Sequence, residues 1–387
     1  MKKRNLDEVQ LARAFAIIAV LIVHSSSEGV TNIPIDSSLF PIYNFFNIAG
    51  KLGTPTFIML SSFVLFYNYY SREATVELFK NFYIKRLKFI LVPYFVFSVI
   101  YFLGKWYLYR YYATPFEALE VFIEQLAIGK VYPHLYFVFI SVQFYLMFPF
   151  FMLLFKKSAF LRKNSIWIGL VIQWAWVFLN REYFQVTYKG SISLSYMSFY
   201  FVGAFLGIYY DQILEKMKSI AFRLKVMIPV ILGYLALVIM YTGYMYLVRT
   251  GQYTEIGSKM PNWVNVNIAE FTWATHALFA GLVLFFLAYL LKDRISGKTK
   301  TFFMEIGATS FGIYLIHPGF LLVFRNIVPG STPLVFHTWQ LFTFFAISII
   351  SWAVVRLTFK WASYYWVFFG KLPPFKVIKE EREQKAS

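Results

Sequence analysis

Two ionisable residues, Arg13 and His24, lie within one apolar run near the beginning of the chain. Ionisable side chains are expensive inside a hydrocarbon layer, so each of them calls for a reason. In a helix that rises about 1.5 Å per residue, this interval separates the two residues by about 16 Å and returns them to within about 20° of the same face. One stripe of such a helix would therefore present a cation at one end and an imidazole at the other.

Glu28 lies one helical turn beyond His24 on the same stripe. A carboxylate in that position would orient the imidazole and raise its basicity, as the partner of a general base does. The ordinary alternative is that Arg13 extends to the lipid headgroups while His24 forms a hydrogen bond with a neighbouring helix. Spacing by itself favours the ordinary alternative, because an Arg–His pair at this interval arises easily by chance.

A basic cluster and a second histidine are further candidates for binding or catalysis. Lys85, Arg86 and Lys88 come just before the third apolar span. They are either topology charges, since Lys and Arg concentrate in cytoplasmic loops, or a site for an anion such as a phosphate. His317 lies in the segment Ser310–Pro318 of the ninth apolar span and is a second imidazole candidate in the outer half of that span.

The composition places these residues in a membrane protein. Hydrophobic residues make up 59% of the 387 and charged residues 14%, against about 25% charged residues in ordinary soluble domains. The absence of cysteine excludes disulfides, thiolate metal sites and a cysteine nucleophile. The net charge of +18 would suggest nucleic acid in a soluble protein, but here the basic residues lie in short loops between apolar runs. We therefore expect the lipid bilayer as a partner, with no nucleic acid and no metal.

The apolar runs predict an all-α fold, a polytopic membrane helix bundle of about ten transmembrane helices. The predicted spans are residues 9–27, 44–68, 89–108, 135–155, 165–180, 194–210, 226–248, 269–291, 302–324 and 338–359. With the N-terminus inside, 26 Lys and Arg residues fall in inner segments and 9 in outer segments, so we expect both termini in the cytoplasm. Residues 1–370 form the membrane domain in this interpretation, and residues 371–387 form a polar cytoplasmic tail.

A signal peptide is the competing interpretation of the N-terminus. Lys2–Arg4 would be its charged region and Ala14–Val23 its apolar region. Arg13 lies early in the apolar run and no A-x-A cleavage site follows, so a retained helix is favoured. Motifs for nucleotide binding, zinc proteases and serine hydrolases are absent from the sequence. Asp and Glu are nearly absent from the spans, which weakens the interpretation as a proton-coupled transporter.

Five short motifs occur in order along the chain, from about Leu6 to about Lys360. They are Arg13-x10-His24; Gly53–Phe63; Tyr83–Lys88 followed by Pro93 and Tyr94; His134–Phe137; and Tyr314–Pro318. In this order and on these spans, the chain resembles the acyltransferase-3 family of integral membrane O-acyltransferases. It departs from that family's pattern at three places: Ser62 stands where the family usually has glycine, Lys85 or Lys88 replaces a second arginine, and Tyr136 stands where the family often has tryptophan. The biofilm-polysaccharide branch, which includes the intercellular-adhesin acyltransferases, is the nearest branch.

The resemblance implies a ten-helix enzyme of the plasma membrane. Such an enzyme takes an acyl group, acetyl- or succinyl-like, from cytoplasmic acyl-CoA and places it on a hydroxyl of a cell-surface glycan. Acyl-CoA is then a co-substrate, and no bound cofactor is expected. Residues expected to hold the CoA phosphates are Arg13, Lys85, Arg86 and Lys88. Residues expected to be catalytic are His24, as general base or acyl carrier, Glu28 as its partner, and His317 in reserve.

Two other functions remain open from the residues themselves. A polysaccharide exporter or flippase would also have many helices and an aromatic interior. A structural subunit of a glycan synthase complex is a third interpretation. Loss of an exporter would remove the glycan from the surface, whereas loss of an acyltransferase would leave the glycan without its ester groups.

Overall fold

The structure, a computed structural model, describes residues 6–109, 114–327 and 332–375. Within these residues the fold is helical and contains no strand, which confirms the predicted all-α class. The sequence analysis also used Lys2–Arg4, Arg110 and most of the polar tail (residues 376–387), which lie outside the described residues.

Nineteen α-helices follow one another in the described part of the chain. They are α1 Asp7–Asn32, α2 Phe40–Ala49, α3 Gly53–Tyr69, α4 Val76–Arg86, α5 Val92–Tyr109, α6 Pro115–Ala127, α7 Tyr136–Lys157, α8 Ala159–Lys163, α9 Ser165–Leu179, α10 Met197–Ile208, α11 Tyr210–Lys218, α12 Ile220–Phe222, α13 Ile228–Arg249, α14 Tyr253–Ser258, α15 Asn262–Asn265, α16 Ile268–Leu291, α17 Gly297–Asn326, α18 Pro333–Trp361 and α19 Tyr365–Phe369. A π-helical turn, Leu87–Leu91, joins α4 to α5, and a second, Arg223–Met227, joins α12 to α13.

Eight helical segments of the described chain are long and apolar enough to cross a membrane. They are Asp7–Asn32, Phe40–Tyr69, Val76–Tyr109, Tyr136–Lys157, Ile220–Arg249, Ile268–Leu291, Gly297–Asn326 and Pro333–Trp361. Each contains one of the predicted spans or nearly coincides with it. The protein therefore has the helices of a multi-pass membrane protein.

The two remaining predicted spans, 165–180 and 194–210, correspond to the shorter helices α9 and α10. The 15 residues of α9 extend about 22 Å at about 1.5 Å per residue, less than the roughly 30 Å of a hydrocarbon core. A π-helical turn, Asn180–Phe184, continues α9, and the side-chain oxygen of Asn180 accepts the backbone N–H of Val186 just beyond it at 3.0 Å. Gln185, between them, adopts a left-handed conformation with φ of 48°.

The helices group into two compact units. The first contains residues 1–57, 215–353 and 373–387 within the described ranges. Its core includes α1, in which Leu11, Ala12 and Ile17 are completely buried. α1 and α17 run parallel, because contacts between them connect residues in the same order, from Asp7 with Lys300 at 3.1 Å to Glu28 with Arg325 at 3.0 Å. Residues at similar distances from the two helix starts therefore lie at the same depth.

The second unit contains residues 58–214 and 354–372. Its core is aromatic, and Phe144 stacks on Tyr200 with ring centroids 4.3 Å apart. α3 and α10 approach closely in this core, because a Cβ on Gly203 would lie 2.1 Å from the carbonyl oxygen of Met59. Ser62, which replaces the glycine usual in the second motif, fits the crossing because its hydroxyl donates to the carbonyl of Tyr200 at 2.6 Å.

Candidate active site

The first unit brings together two of the three candidate catalytic residues. The rings of His24 on α1 and His317 on α17 are 5.0 Å apart between centroids and meet edge to face, at 78°. His24 is half-buried, and His317 is completely buried. The parallel packing of α1 and α17 accounts for this meeting, because it places the C-terminal halves of both helices side by side. The sequence placed both residues in the outer half but did not show that they touch.

A glycine permits the close approach of the two helices that carry these rings. A Cβ on Gly307 of α17 would lie 2.0 Å from the carbonyl oxygen of Gln10 on α1, a separation that real Cβ atoms do not show. Backbone atoms cannot move aside as the end of a flexible side chain can. The spacing of α1 and α17 therefore depends on the absence of a side chain at this position.

The orientation of the His317 ring follows from its hydrogen bond. Nδ1 lies 3.0 Å from the carbonyl oxygen of Ile313, one turn earlier on α17. A carbonyl only accepts, so Nδ1 carries the proton in this bond. In the neutral ring, Nε2 is then the nitrogen with the basic lone pair.

Glu28 has partners that the sequence did not suggest. Its Oε2 lies 3.0 Å from Nε of Arg325, and its Oε1 accepts a hydrogen bond from the side-chain amide of Asn32 at 2.8 Å. Arg325 in turn donates from Nη2 to the backbone carbonyl of His24 at 2.9 Å. The sequence analysis predicted that Glu28 would orient the His24 imidazole directly, whereas these contacts connect it to His24 through Arg325 and the backbone.

Arg249 also stabilises this half of α1, through hydrogen bonds to two asparagines of α2. Asn47 of α2 donates to the carbonyl of Val23 and to the hydroxyl of Ser27, both at 3.1 Å. Arg249, at the end of α13, donates to the side-chain oxygen of Asn47 at 2.6 Å and to that of Asn44 at 2.9 Å. Such a network fixes the backbone on both sides of His24, since bonds from charged donors are about twice as strong as neutral ones.

Arg249 and Arg325 are two of the nine Lys and Arg residues that fall in predicted outer segments, and residue spacing assigned them no role. A signal was present in the sequence: Asn44 and Asn47 are polar residues three apart within a predicted span. Polar groups in a span need partners from another helix. The identity of those partners depends on which helices pack together, which the spacing of residues along one helix does not reveal.

Arg13 lies on the same continuous helix as His24, and its side chain is half-buried. α1 runs from Asp7 to Asn32 without an interruption, so the separation of about 16 Å along the axis applies. Phe15 of α1 contacts Phe303 of α17, with centroids 5.3 Å apart, in the same part of the helix pair. Arg13 thus belongs to the first unit, at the opposite end of α1 from His24.

The second unit contains the basic cluster Lys85, Arg86 and Lys88. Lys85 and Arg86 end α4, and Lys88 lies in the π-helical turn that follows. The guanidinium of Arg86 lies 4.8 Å from the ring centroid of Tyr145 and 5.1 Å from that of Phe82. Stacking on two aromatic rings holds an arginine side chain in one orientation.

The buried Nε of Arg86 has no hydrogen-bond acceptor among the residues the structure describes. A buried donor without an acceptor is costly, so such an atom marks a position where a ligand oxygen would be stabilised. Lys88, close by in sequence, places its ammonium 4.3 Å from the ring centroid of Trp366, and Lys85 is exposed. This arrangement suits a phosphate, because guanidinium and ammonium groups both pair with phosphate oxygens.

No cluster of three or more His, Asp or Glu residues that could hold a metal ion occurs in the described ranges. Among known proteins, the chain matches the family model of acyltransferase 3, described as an acyltransferase domain, over residues 6–336. All seven candidate site residues lie inside that range. No curated protein and no solved structure matches the chain.

Proposed function

Because the chain belongs to the acyltransferase-3 family, we propose that it is a membrane O-acyltransferase that moves an acyl group from cytoplasmic acyl-CoA to a hydroxyl of a cell-surface glycan. The observation that carries the proposal is the contact between His24 and His317, with ring centroids 5.0 Å apart. An imidazole accepts a proton on one ring nitrogen and can donate it again, so it can serve first as general base and then as general acid. Here the two imidazoles come from distant parts of the chain, and hydrogen bonds from Arg325 and Asn47 hold the backbone around His24 in place.

The proposed topology places both termini in the cytoplasm. The bias of 26 inner to 9 outer Lys and Arg residues supports it. An even number of crossings, either the eight long segments or ten with α9 and α10, keeps both termini on one side. The parallel packing of α1 and α17 agrees, because parallel helices begin on the same side of the bilayer. Arg13 then lies towards the cytoplasm and His24 towards the outside.

His24 carries the chemistry in this proposal. Its imidazole takes the proton of the acceptor hydroxyl while the hydroxyl oxygen attacks the thioester carbonyl. The carbon–sulfur bond then breaks and the CoA thiolate receives the proton. In an equally open route, a ring nitrogen of His24 attacks the thioester first, the carbon–sulfur bond breaks and CoA leaves as its thiol. The acyl-imidazole then passes the acyl group to the hydroxyl oxygen, and the proton of the hydroxyl returns to His24. His24 is assigned this role because it is half-buried, whereas the completely buried His317 acts by positioning it.

Donor binding is assigned to the basic residues on the cytoplasmic side. Arg86 presents a buried N–H without an acceptor among the described residues, which supports its contact with a CoA phosphate. Lys85 and Lys88, in the same unit, are assigned the same role, and Arg13 of the first unit is assigned a CoA phosphate from its position on α1. An extended pantetheine arm is comparable in length to the interval of about 16 Å between Arg13 and His24. A thioester whose phosphate is held at Arg13 can therefore reach His24 along the same helix.

The test is the content of base-labile esters on the surface glycan, measured together with the total amount of glycan. Deleting the protein should remove the esters and leave the glycan, whereas loss of the glycan itself would identify an exporter. His24→Ala should reduce ester formation by about 10²- to 10⁴-fold, as loss of a general base does. His337→Ala is the matched control, because His337 is also a half-buried histidine of the first unit and is bonded to Tyr43 at 3.0 Å. Ester formation by the His24 variant within about threefold of the parent, at equal membrane levels, would refute the catalytic assignment.

A further inference from the structure

The second unit contains a cavity of ≈ 510 Å³ that has no assigned role. Three segments form it: the end of α5, the turn that precedes α7, and the segment that precedes α10. Side chains prominent in its lining are four tyrosines and two lysines, Tyr132, Tyr136, Tyr188, Tyr196, Lys105 and Lys130. In the topology with ten crossings, in which α9 and α10 also span the membrane, all three segments are outside the cell.

The walls of this cavity are held in place before any ligand binds. The side chain of Gln143 donates to the carbonyl of Ser191 at 2.7 Å and accepts the backbone N–H of Ser193 at 2.9 Å. The hydroxyl of Tyr196 donates to the carbonyl of Gly190 at 3.0 Å. On the opposite wall, Tyr132 stacks on Tyr101 with centroids 4.3 Å apart. A preformed site binds its ligand without the cost of ordering these segments.

The charge in the cavity is positive and uncompensated. No carboxylate lines it, and neither Lys105 nor Lys130 forms a salt bridge within the described part of the chain. The ammonium of Lys130 lies 5.6 Å from the ring centroid of Tyr188. Outer segments of membrane proteins generally have few lysines, and this protein has 9 basic residues there against 26 inside. Two of those nine lie in one cavity, so topology does not explain them.

We infer that this cavity binds an acidic glycan, that is, a sugar chain with carboxylate or phosphate groups. The exposed ring of Tyr188 packs against the apolar C–H face of a sugar ring, and its hydroxyl and those of the half-buried Tyr132 and Tyr136 form hydrogen bonds with sugar hydroxyls. The lysine ammoniums pair with the acidic group through charge-assisted bonds. The inference rests on the proposed function only in making this glycan the acceptor, because binding itself requires no acyl transfer.

Binding is tested with the purified full-length protein in nanodiscs of zwitterionic lipid. The probes are trigalacturonate and its methyl ester, which has the same rings without the charge. We expect trigalacturonate to bind at least about tenfold more tightly, as one charge-assisted hydrogen bond would give. The double variant Lys105→Gln/Lys130→Gln should lose that preference, and Tyr188→Ala, at an exposed position, should weaken both probes. Lys259→Gln is the control, since it removes an exposed lysine of the first unit that is paired with Glu255.

Equal binding of the two probes, no binding of either, or an unchanged preference in the double variant would overturn the inference. Loss of trigalacturonate binding on adding anionic lipid would assign the cavity to a lipid headgroup instead. The outer location is tested on intact cells with a membrane-impermeant amine reagent, which should label Lys130, and labelling that requires lysis would overturn the outer site. If trigalacturonate does not bind but the surface esters still depend on the protein, only this inference is refuted. If trigalacturonate binds but deletion of the protein leaves the surface esters unchanged, only the proposed acyl transfer is refuted.

Discussion

Replacing Gly307 by alanine should reduce acyl transfer without removing any functional group. The new Cβ would lie 2.0 Å from the carbonyl oxygen of Gln10, about 1 Å closer than any real Cβ contact. α17 must therefore move away from α1 by about 1 Å at this level, which separates the rings of His24 and His317. A misplacement of about 1 Å can cost about 100-fold in rate. The displacement is partly absorbed over the length of the helix, so we expect a loss of roughly 10- to 100-fold.

The assay is the initial rate of ester formation on the surface glycan, normalised to the amount of protein in the membrane. Gly243→Ala is the matched control, because a Cβ on this glycine of α13 meets nothing within 4 Å. Thermal unfolding in detergent separates displacement from unfolding, since overpacking costs about 1–3 kcal/mol and leaves a folded protein with a lower melting temperature. A Gly307→Ala protein that retains activity within about threefold of the Gly243→Ala protein would show that the spacing of α1 and α17 does not set the site.

Three further predictions concern single side chains. Arg325→Gln should lower the transfer rate by about tenfold, because it removes a charge-assisted bond to the backbone of His24; an unchanged initial rate would exclude a positioning role. Arg86→Ala should raise the apparent KM for acyl-CoA more than Arg86→Lys does, because lysine keeps a point charge but loses the planar fork; the exposed Lys80→Ala is the control, and an unchanged KM in the Arg86→Ala protein would remove this arginine from the donor site. Ser62→Ala should destabilise the protein by about 1 kcal/mol, the usual contribution of one hydrogen bond; an unchanged melting temperature in detergent would contradict that.

The helices were largely predictable from the sequence because the requirement that produces them is local. A chain in lipid must satisfy its own backbone hydrogen bonds, so an apolar run of sufficient length forms a helix whatever its neighbours are. Eight of the ten predicted spans are long helices. The other two, α9 Ser165–Leu179 and α10 Met197–Ile208, nearly coincide with the predicted spans 165–180 and 194–210 but are shorter than the eight. The sequence marks the end of α9 as well, because the polar residues Asn180, Arg181 and Glu182 follow it directly.

The candidate site was only partly predictable. Residue spacing on one continuous helix determined the relation of Arg13 to His24, and motif position placed His317 in the same half of the protein. The contact between the two histidines required the parallel packing of α1 against α17, which Gly307 permits. This packing is set by helices nearly 300 residues apart in the chain.

Tertiary structure decided the partners of two charged residues of the candidate site, Glu28 and Arg86. Glu28 pairs with Arg325, and Arg86 lies against the ring of Tyr145. Charge satisfaction is non-local: a buried or half-buried ion is stabilised by whichever donor, acceptor or ring the packing brings within a few ångströms. The sequence by itself therefore determined which residues are unusual in a membrane and on which helices they lie, because periodicity and apolar length act within one segment. The folded chain decided which of them meet, because packing between segments selects the partner.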